Sequence, residues 1–111
     1  MVTDLINEFR IQNGKEPFYD WNSVENQYCE LHCFHMSRIK DAIHAPDYLL
    51  GHRGEACARH YWDWDLKHTV SKIIWEQFAN SPGHKAILLK DNLAYAVTQD
   101  NWMVYLTIRG W

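Results

Sequence analysis

Residues 93–111, LAYAVTQDNWMVYLTIRGW, constrain the fold more than any other stretch of this chain. Val, Tyr, Thr and Ile crowd into two runs with Gln99, Asp100 and Asn101 between them, which predicts two antiparallel strands joined by a tight connection. A lone hairpin is at best marginally stable in water, and the periodic segments upstream of it are helical. The pattern therefore predicts an α+β domain, with helices packed on a small antiparallel sheet that ends in a C-terminal hairpin.

Leu5, Ile6 and Phe9 share one face of a first helix over residues 4 to 13, with Thr3 as its cap and Gly14, behind Asn13, as its stop. KEPFYDWNS follows as a loop, because Pro17 is excluded from a helix interior, and Asn22 or Ser23 caps the next helix. That second helix runs from Val24 to about Ala42. Its apolar side reads Val24, Tyr28, Leu31 and His35, widened by Cys29, Phe34, Met36 and Ile39, which makes it the expected central core helix.

HAPDYLLGHRGEACARHYWDWD has a Pro, two Gly and no helical period, and reads as a long loop with one short strand near EACA. A third helix, capped by Thr69 or by Asp65, turns Val70, Ile73, Ile74 and Phe78 to the core and ends near Asn80. Ser81 and Pro82 suit the N-cap and first position of a short helix continued by Ala86, Ile87 and Leu88. His84 lies in its first turn.

At 111 residues, with 47% hydrophobic and 23% charged residues, the chain is sized and composed for one globular domain. Eleven Lys and Arg against fourteen Asp and Glu give a net charge of −3, and the basic residues are scattered. That distribution argues against nucleic acid as a partner, and no apolar run has the length of a membrane span. MVTDLINEFR lacks the charged and apolar regions of an export leader, so taken alone it predicts a cytoplasmic chain or one whose leader has been trimmed. Cys29, Cys33 and Cys57 are an odd number and read as reduced, mostly buried thiols.

Taken in order, LINEFRIQNGKEPFYDW, a long helix, IHAPDYLLGHRGEA, FANSPGHKAILL and YLTIRGW resemble the CAP superfamily across nearly the whole chain. That superfamily comprises cysteine-rich secretory proteins, antigen 5 and pathogenesis-related proteins, and the likeness is greatest to its bacterial, SCP-like members. The matching positions are Trp21, His44, Gly54 with Glu55, Ser81-Pro82-Gly83-His84, and the strand from Tyr105 to Arg109. Ala56 stands where the family usually has Asn after Gly-Glu, and Phe78 where it usually has Trp before SPGH.

The resemblance implies a three-layer α-β-α sandwich, here reduced in size. It implies that His44, Glu55 and His84 share a cleft, in which relatives gather two histidines with one or two acids and sometimes bind a divalent metal. Family members are generally secreted, which sets the resemblance against the reading of the first ten residues.

Two neutral imidazoles make a good partial zinc site, and a carboxylate beside them can ligate, orient a ring or accept a proton. The expected assignment is His44 and His84 as metal ligands and Glu55, behind Gly54, as the catalytic general base of a metal-assisted hydrolysis. Zinc or another divalent cation is the expected cofactor, and a small ligand or a protein the expected partner. Glu76, a second acid used by some relatives, and His52, close to Glu55, rank second. Helical spacing turns Glu76 away from the core face.

Cys29, His32, Cys33 and Met36 lie along one side of the second helix, but one helix cannot close a tetrahedral shell, and core packing is the expectation. His35 reads as a core histidine bonded to backbone. Tyr61, Trp62 and Trp64 read as large rings sealing a small core, ahead of a ligand-stacking rim. Ser81 is consumed as a helix cap, so no nucleophilic triad is expected. The alternative function is a noncatalytic interaction module with a vestigial cleft, whose exposed aromatics form the working surface.

Overall fold

The computed structural model describes residues 1–20 and 22–111, and the expected match at Trp21 lies outside them. Among the described residues the helices are α1 (Val2–Gln12), α2 (Ser23–Ile39), α3 (Asp47–Leu50), α4 (Leu66–Lys72) and α5 (Pro82–Leu88). The strands are β1 (Gly54–Tyr61), β2 (Leu93–Asp100) and β3 (Met103–Gly110), and α4 continues into a π-helical stretch, Ile73–Phe78.

The strands form one antiparallel sheet in the order β1-β3-β2. The expected hairpin is β2 and β3, whose register pairs Asp100 with Met103. Its connection, Asn101-Trp102, falls slightly later than expected, with Asn101 at φ 55°, a left-handed conformation that Asn tolerates. The short strand expected near EACA is the eight-residue β1. It pairs along all of β3, from Gly54 opposite Gly110 to Tyr61 opposite Met103.

Strand alternation divides the core between the two faces of the sheet. Ala56, Ala58, Leu106 and Ile108 pack with Phe9, Ile74 and other residues of α1, α4, its extension and α5. On the other face Ala94, Ala96 and Tyr105 meet Cys29, Cys33 and Met36 of α2. The sheet thus lies between α2, with the one-turn α3 beside it, and a layer of α1, α4 with its extension, and α5, in a mixed α+β arrangement.

The side of α2 turned to the sheet is not the expected one. Glu25, Cys29, His32, Cys33 and Met36 are buried, whereas Val24, Tyr28, Leu31, Phe34, His35 and Ile39 are exposed. Against Ala94, Ala96 and Tyr105 the helix turns two thiols and one Met. His35 is therefore not a core histidine, while the packing role expected for Cys29, Cys33 and Met36 is the one observed. The Oδ1 of Asn22 accepts the Glu25 N–H as the cap of α2, which ends at Ile39 because Lys40 turns left-handed at φ 57°.

Other differences are local. Thr3 lies inside α1 and its hydroxyl bonds the Tyr95 hydroxyl at 2.7 Å instead of capping. Asp65, not Thr69, caps α4. Ser81 occupies the N-cap of α5 with Pro82 behind it but makes no side-chain cap bond. Trp62 packs on the core, whereas Tyr61 and Trp64 are exposed and seal nothing.

Two glycines set the distance between α5 and the sheet. A Cβ on Gly110 would stand 2.7 Å from the Ile87 carbonyl oxygen, and one on Gly54 would stand 2.9 Å from Ile87 Cγ1. Bare backbone at this cross-strand pair lets α5, and His84 with it, sit directly on that end of the sheet.

Candidate functional site

Alternation along β1 sends Ala56 and Ala58 toward the α1 side and Glu55 and Cys57 toward α2. Glu55 is consequently buried, at 4% exposure. The segment that leaves α2 runs beside it, and Pro46 biases Ala45 toward extended backbone, leaving the Ala45 N–H outside any helix. That N–H donates to Glu55 Oε1 at 2.8 Å, and His44 Nδ1 lies 3.2 Å from the same oxygen. When Nδ1–H donates to the carboxylate, the lone pair of His44 is on Nε2, and this side chain is 63% exposed.

Behind Glu55 lies a chain of charges that no single stretch of sequence announces. Glu55 and Arg109 are cross-strand partners, with Arg109 Nε 3.8 Å from Glu55 Oε2. Arg109 Nη1 is 3.6 Å from Glu25 Oε2, and Arg53 Nη2 is 2.7 Å from Glu25 Oε1. Glu55 Oε2 and Arg109 Nε, both buried, have no hydrogen-bond partner among the described residues. Charges this deep are tolerated because they compensate one another.

His32 approaches from α2, with Nε2 donating to the Ile43 carbonyl at 2.6 Å and lying 3.8 Å from Glu55 Oε1. His32, Glu55 and Cys57 each offer one ligand atom, all within 4.8 Å of one another, so the three could hold a metal ion. Doing so would require His32 to release Ile43 and Cys57 to lose a proton. Burial, and secondarily the neighbouring Glu55, push the Cys57 thiol far above its ordinary range.

His84 lies in α5, whose Leu88 packs on the face of the sheet opposite Glu55. It is half-buried, with its ring edge-on to Phe78 at 5.1 Å. Burial, and then the charge of His44, hold its imidazole below the usual histidine range. The structure thus joins His44 to Glu55 by a hydrogen bond, whereas neither His44 nor His84 belongs to the group of side chains that, among the described residues, could together hold a metal ion. Glu76 is exposed near Lys72 and His52 is exposed in the turn after α3. Neither is among the groups bonded to Glu55.

Arg109 and Glu25 are the parts of this cluster that sequence reasoning missed, and His32 was placed only in the helical row read as core packing. A signal for each existed: Arg109 alternates with Tyr105 and Thr107 on a strand, and Glu25, His32 and Met36 share a helical side with both core cysteines.

Comparison with models of known families finds no match, and no curated protein matches the chain significantly. Among the described residues no helix is long and apolar enough to cross a membrane.

Proposed function

We propose that this chain is a small CAP-type domain in which His44 and His84 hold a divalent cation at the β1 edge, with Glu55 setting the orientation of His44. The observation that carries this reading is the 3.2 Å contact from His44 Nδ1 to the buried Glu55 Oε1. A carboxylate on one ring nitrogen fixes the tautomer and turns the other nitrogen outward as a ligand. The donor set suits zinc: His84 is held toward its neutral form, and His44 presents Nε2 at the surface. The order of layers, with helices on both faces of the sheet, also agrees with the CAP resemblance.

A cation held there supplies Lewis-acid polarisation of a bound ligand. Binding is better supported than hydrolysis, because the side chain of Glu55, expected as general base, is 1% exposed and cannot meet a substrate. Its work is on His44. The cleft is therefore read as a metal-dependent seat for a small ligand or protein partner.

Calorimetric titration with zinc tests the reading. The wild-type chain is expected to bind one equivalent, and His44→Ala and His84→Ala each to abolish the heat. A wild-type chain that binds no zinc would sink it. What would then stand is the noncatalytic module, favoured by Trp64 at 86% and Tyr61 at 70% exposure, aromatics for which the fold itself has no use.

A further inference from the structure

Arg109 is 2% exposed, yet its guanidinium is poorly bonded for so deep a group. Its Nε has no hydrogen-bond partner among the described residues, and its ion-pair contacts, 3.6 Å to Glu25 Oε2 and 3.8 Å to Glu55 Oε2, are longer than hydrogen bonds. Both acids are committed elsewhere: Oε1 of Glu25 to Arg53 Nη2 at 2.7 Å, and Oε1 of Glu55 to the Ala45 N–H at 2.8 Å. The charge of Arg109 is thus balanced while its donors are not, a state that costs stability unless something else accepts from them.

The same side chain lines a hollow of about 360 Å³ between α2 and α3, within the range of small-molecule seats. The wall of this hollow is almost wholly apolar, with Tyr28 and Leu31 of α2 on one side and Leu49 of α3 on the other. Arg109, His32 and His35 bring nitrogen donors to it, and among the described residues no acidic side chain lines it. The Tyr28 ring lies against the guanidinium, 5.7 Å from centroid to Cζ, and holds its plane.

We propose that this hollow binds a small carboxylic acid, whose aromatic or branched body fills the space between Tyr28, Leu31 and Leu49 and whose carboxylate accepts from Arg109. Two carboxylate oxygens match the fork of a guanidinium, and an apolar wall with one deep cation rewards a ligand that is apolar at one end and anionic at the other. A purely apolar ligand would leave the donors of Arg109 unmet, and a basic one would add a second cation beside it. The seat goes beyond the proposed cation site and does not depend on it, since neither His44 nor His84 lines the hollow.

NMR titration of the isotope-labelled chain with phenylacetate and with isocaproate, first in buffer containing a chelator and then with zinc, tests the proposal. Saturable shifts at Leu31, Leu49 and the Arg109 side chain are expected for at least one acid, with roughly millimolar affinity or tighter. The corresponding amide should bind at least about tenfold more weakly, the scale of a lost charged hydrogen bond. Arg109→Gln should abolish binding. Leu49→Asp, at a half-exposed position outside the charge cluster, sets a carboxylate in the hollow and should also weaken binding at least about tenfold. Should Arg109→Gln unfold, Leu49→Asp and the amide comparison decide alone. The proposal is overturned if neither acid binds, if the amide binds as well as the acid, or if Leu49→Asp changes nothing. Binding seen only with zinc also overturns it, by placing the carboxylate on the cation. Acid binding in chelator by a chain that takes up no zinc leaves the proposal standing and removes the cation site.

Discussion

His44 and Glu55, eleven residues apart in sequence, meet through Nδ1 and Oε1 at 3.2 Å across the gap between the segment after α2 and the edge strand β1. The carboxylate also accepts the Ala45 N–H and faces Arg109, so it holds loop and sheet together as well as aiming the imidazole. Glu55→Gln keeps the shape but removes the charge facing Arg109. It should cost about 1–3 kcal/mol of stability, the scale of a buried charged group losing its partner. The same change should weaken zinc binding about 10- to 100-fold, as for other residues that orient a ligating histidine. Urea unfolding and calorimetry on one sample check both; unchanged zinc affinity would remove Glu55 from the site.

His84 sets a pH dependence whose sign follows from its surroundings. Burial and His44 lower its folded pKa below the ordinary value of 6.5, so the unfolded chain takes up the proton first as pH falls. Its contribution to stability is complete above the unfolded pKa and declines as pH drops from there through the lower folded value. In buffer containing a chelator, wild type should lose more stability than His84→Gln between about pH 7.5 and 5.5. Equal losses in the two proteins, measured as urea midpoints at both pH values, would mean that His84 is not desolvated.

Most of the fold was readable because its signals are local. The hairpin runs, Asn22 before α2, and Pro82 behind Ser81 are each decided by a few neighbouring residues. The buried side of α2 was not readable, because it depends on what the helix meets. Tyr28, Leu31 and Phe34 look like core by size, yet the residues of α2 that pack on Ala94 and Ala96 are Cys29, Cys33 and Met36. The site shows the same division. His44 and Glu55 are flagged by short motifs, whereas Arg109 joins them only through the pairing of β1 with β3, a relation between distant segments. His84 is legible as a helix entrance, but the face of the sheet on which α5 packs is a property of the layers.

Arg10 offers a test of how α1 is fastened. It is 2% exposed, its Nη1 donates to the carbonyls of Leu88 at 2.7 Å and Lys90 at 2.6 Å, and its Nε donates to Glu16 at 2.9 Å. One guanidinium thereby closes the end of α5 and the loop after α1. Arg10→Met should leave these carbonyls short of donors and lower stability by about 3 kcal/mol, near the upper end for a single substitution. Lys15→Ala, which removes only an exposed ion pair to Asp91, should leave the melting temperature unchanged.

The two glycines at either end of α5's contacts should respond in opposite directions to the same change. At Gly110 a new Cβ would meet the Ile87 carbonyl oxygen at 2.7 Å, a backbone atom that can move only if α5 moves. Gly110→Ala should therefore destabilise by about 1–3 kcal/mol, the usual cost of overpacking. A Cβ on Gly83 would meet nothing within 4 Å, and this residue lies in the first turn of α5, where alanine favours the helix. Gly83→Ala should be neutral to stabilising, by up to about 1 kcal/mol. Because Gly110 seats the helix that carries His84, its variant should also weaken zinc binding under conditions where it remains folded, while Gly83→Ala should not. Melting curves with and without zinc separate the outcomes: a Gly110→Ala protein that melts lower but gains as much from zinc as wild type would show that the seating of α5 does not govern the site.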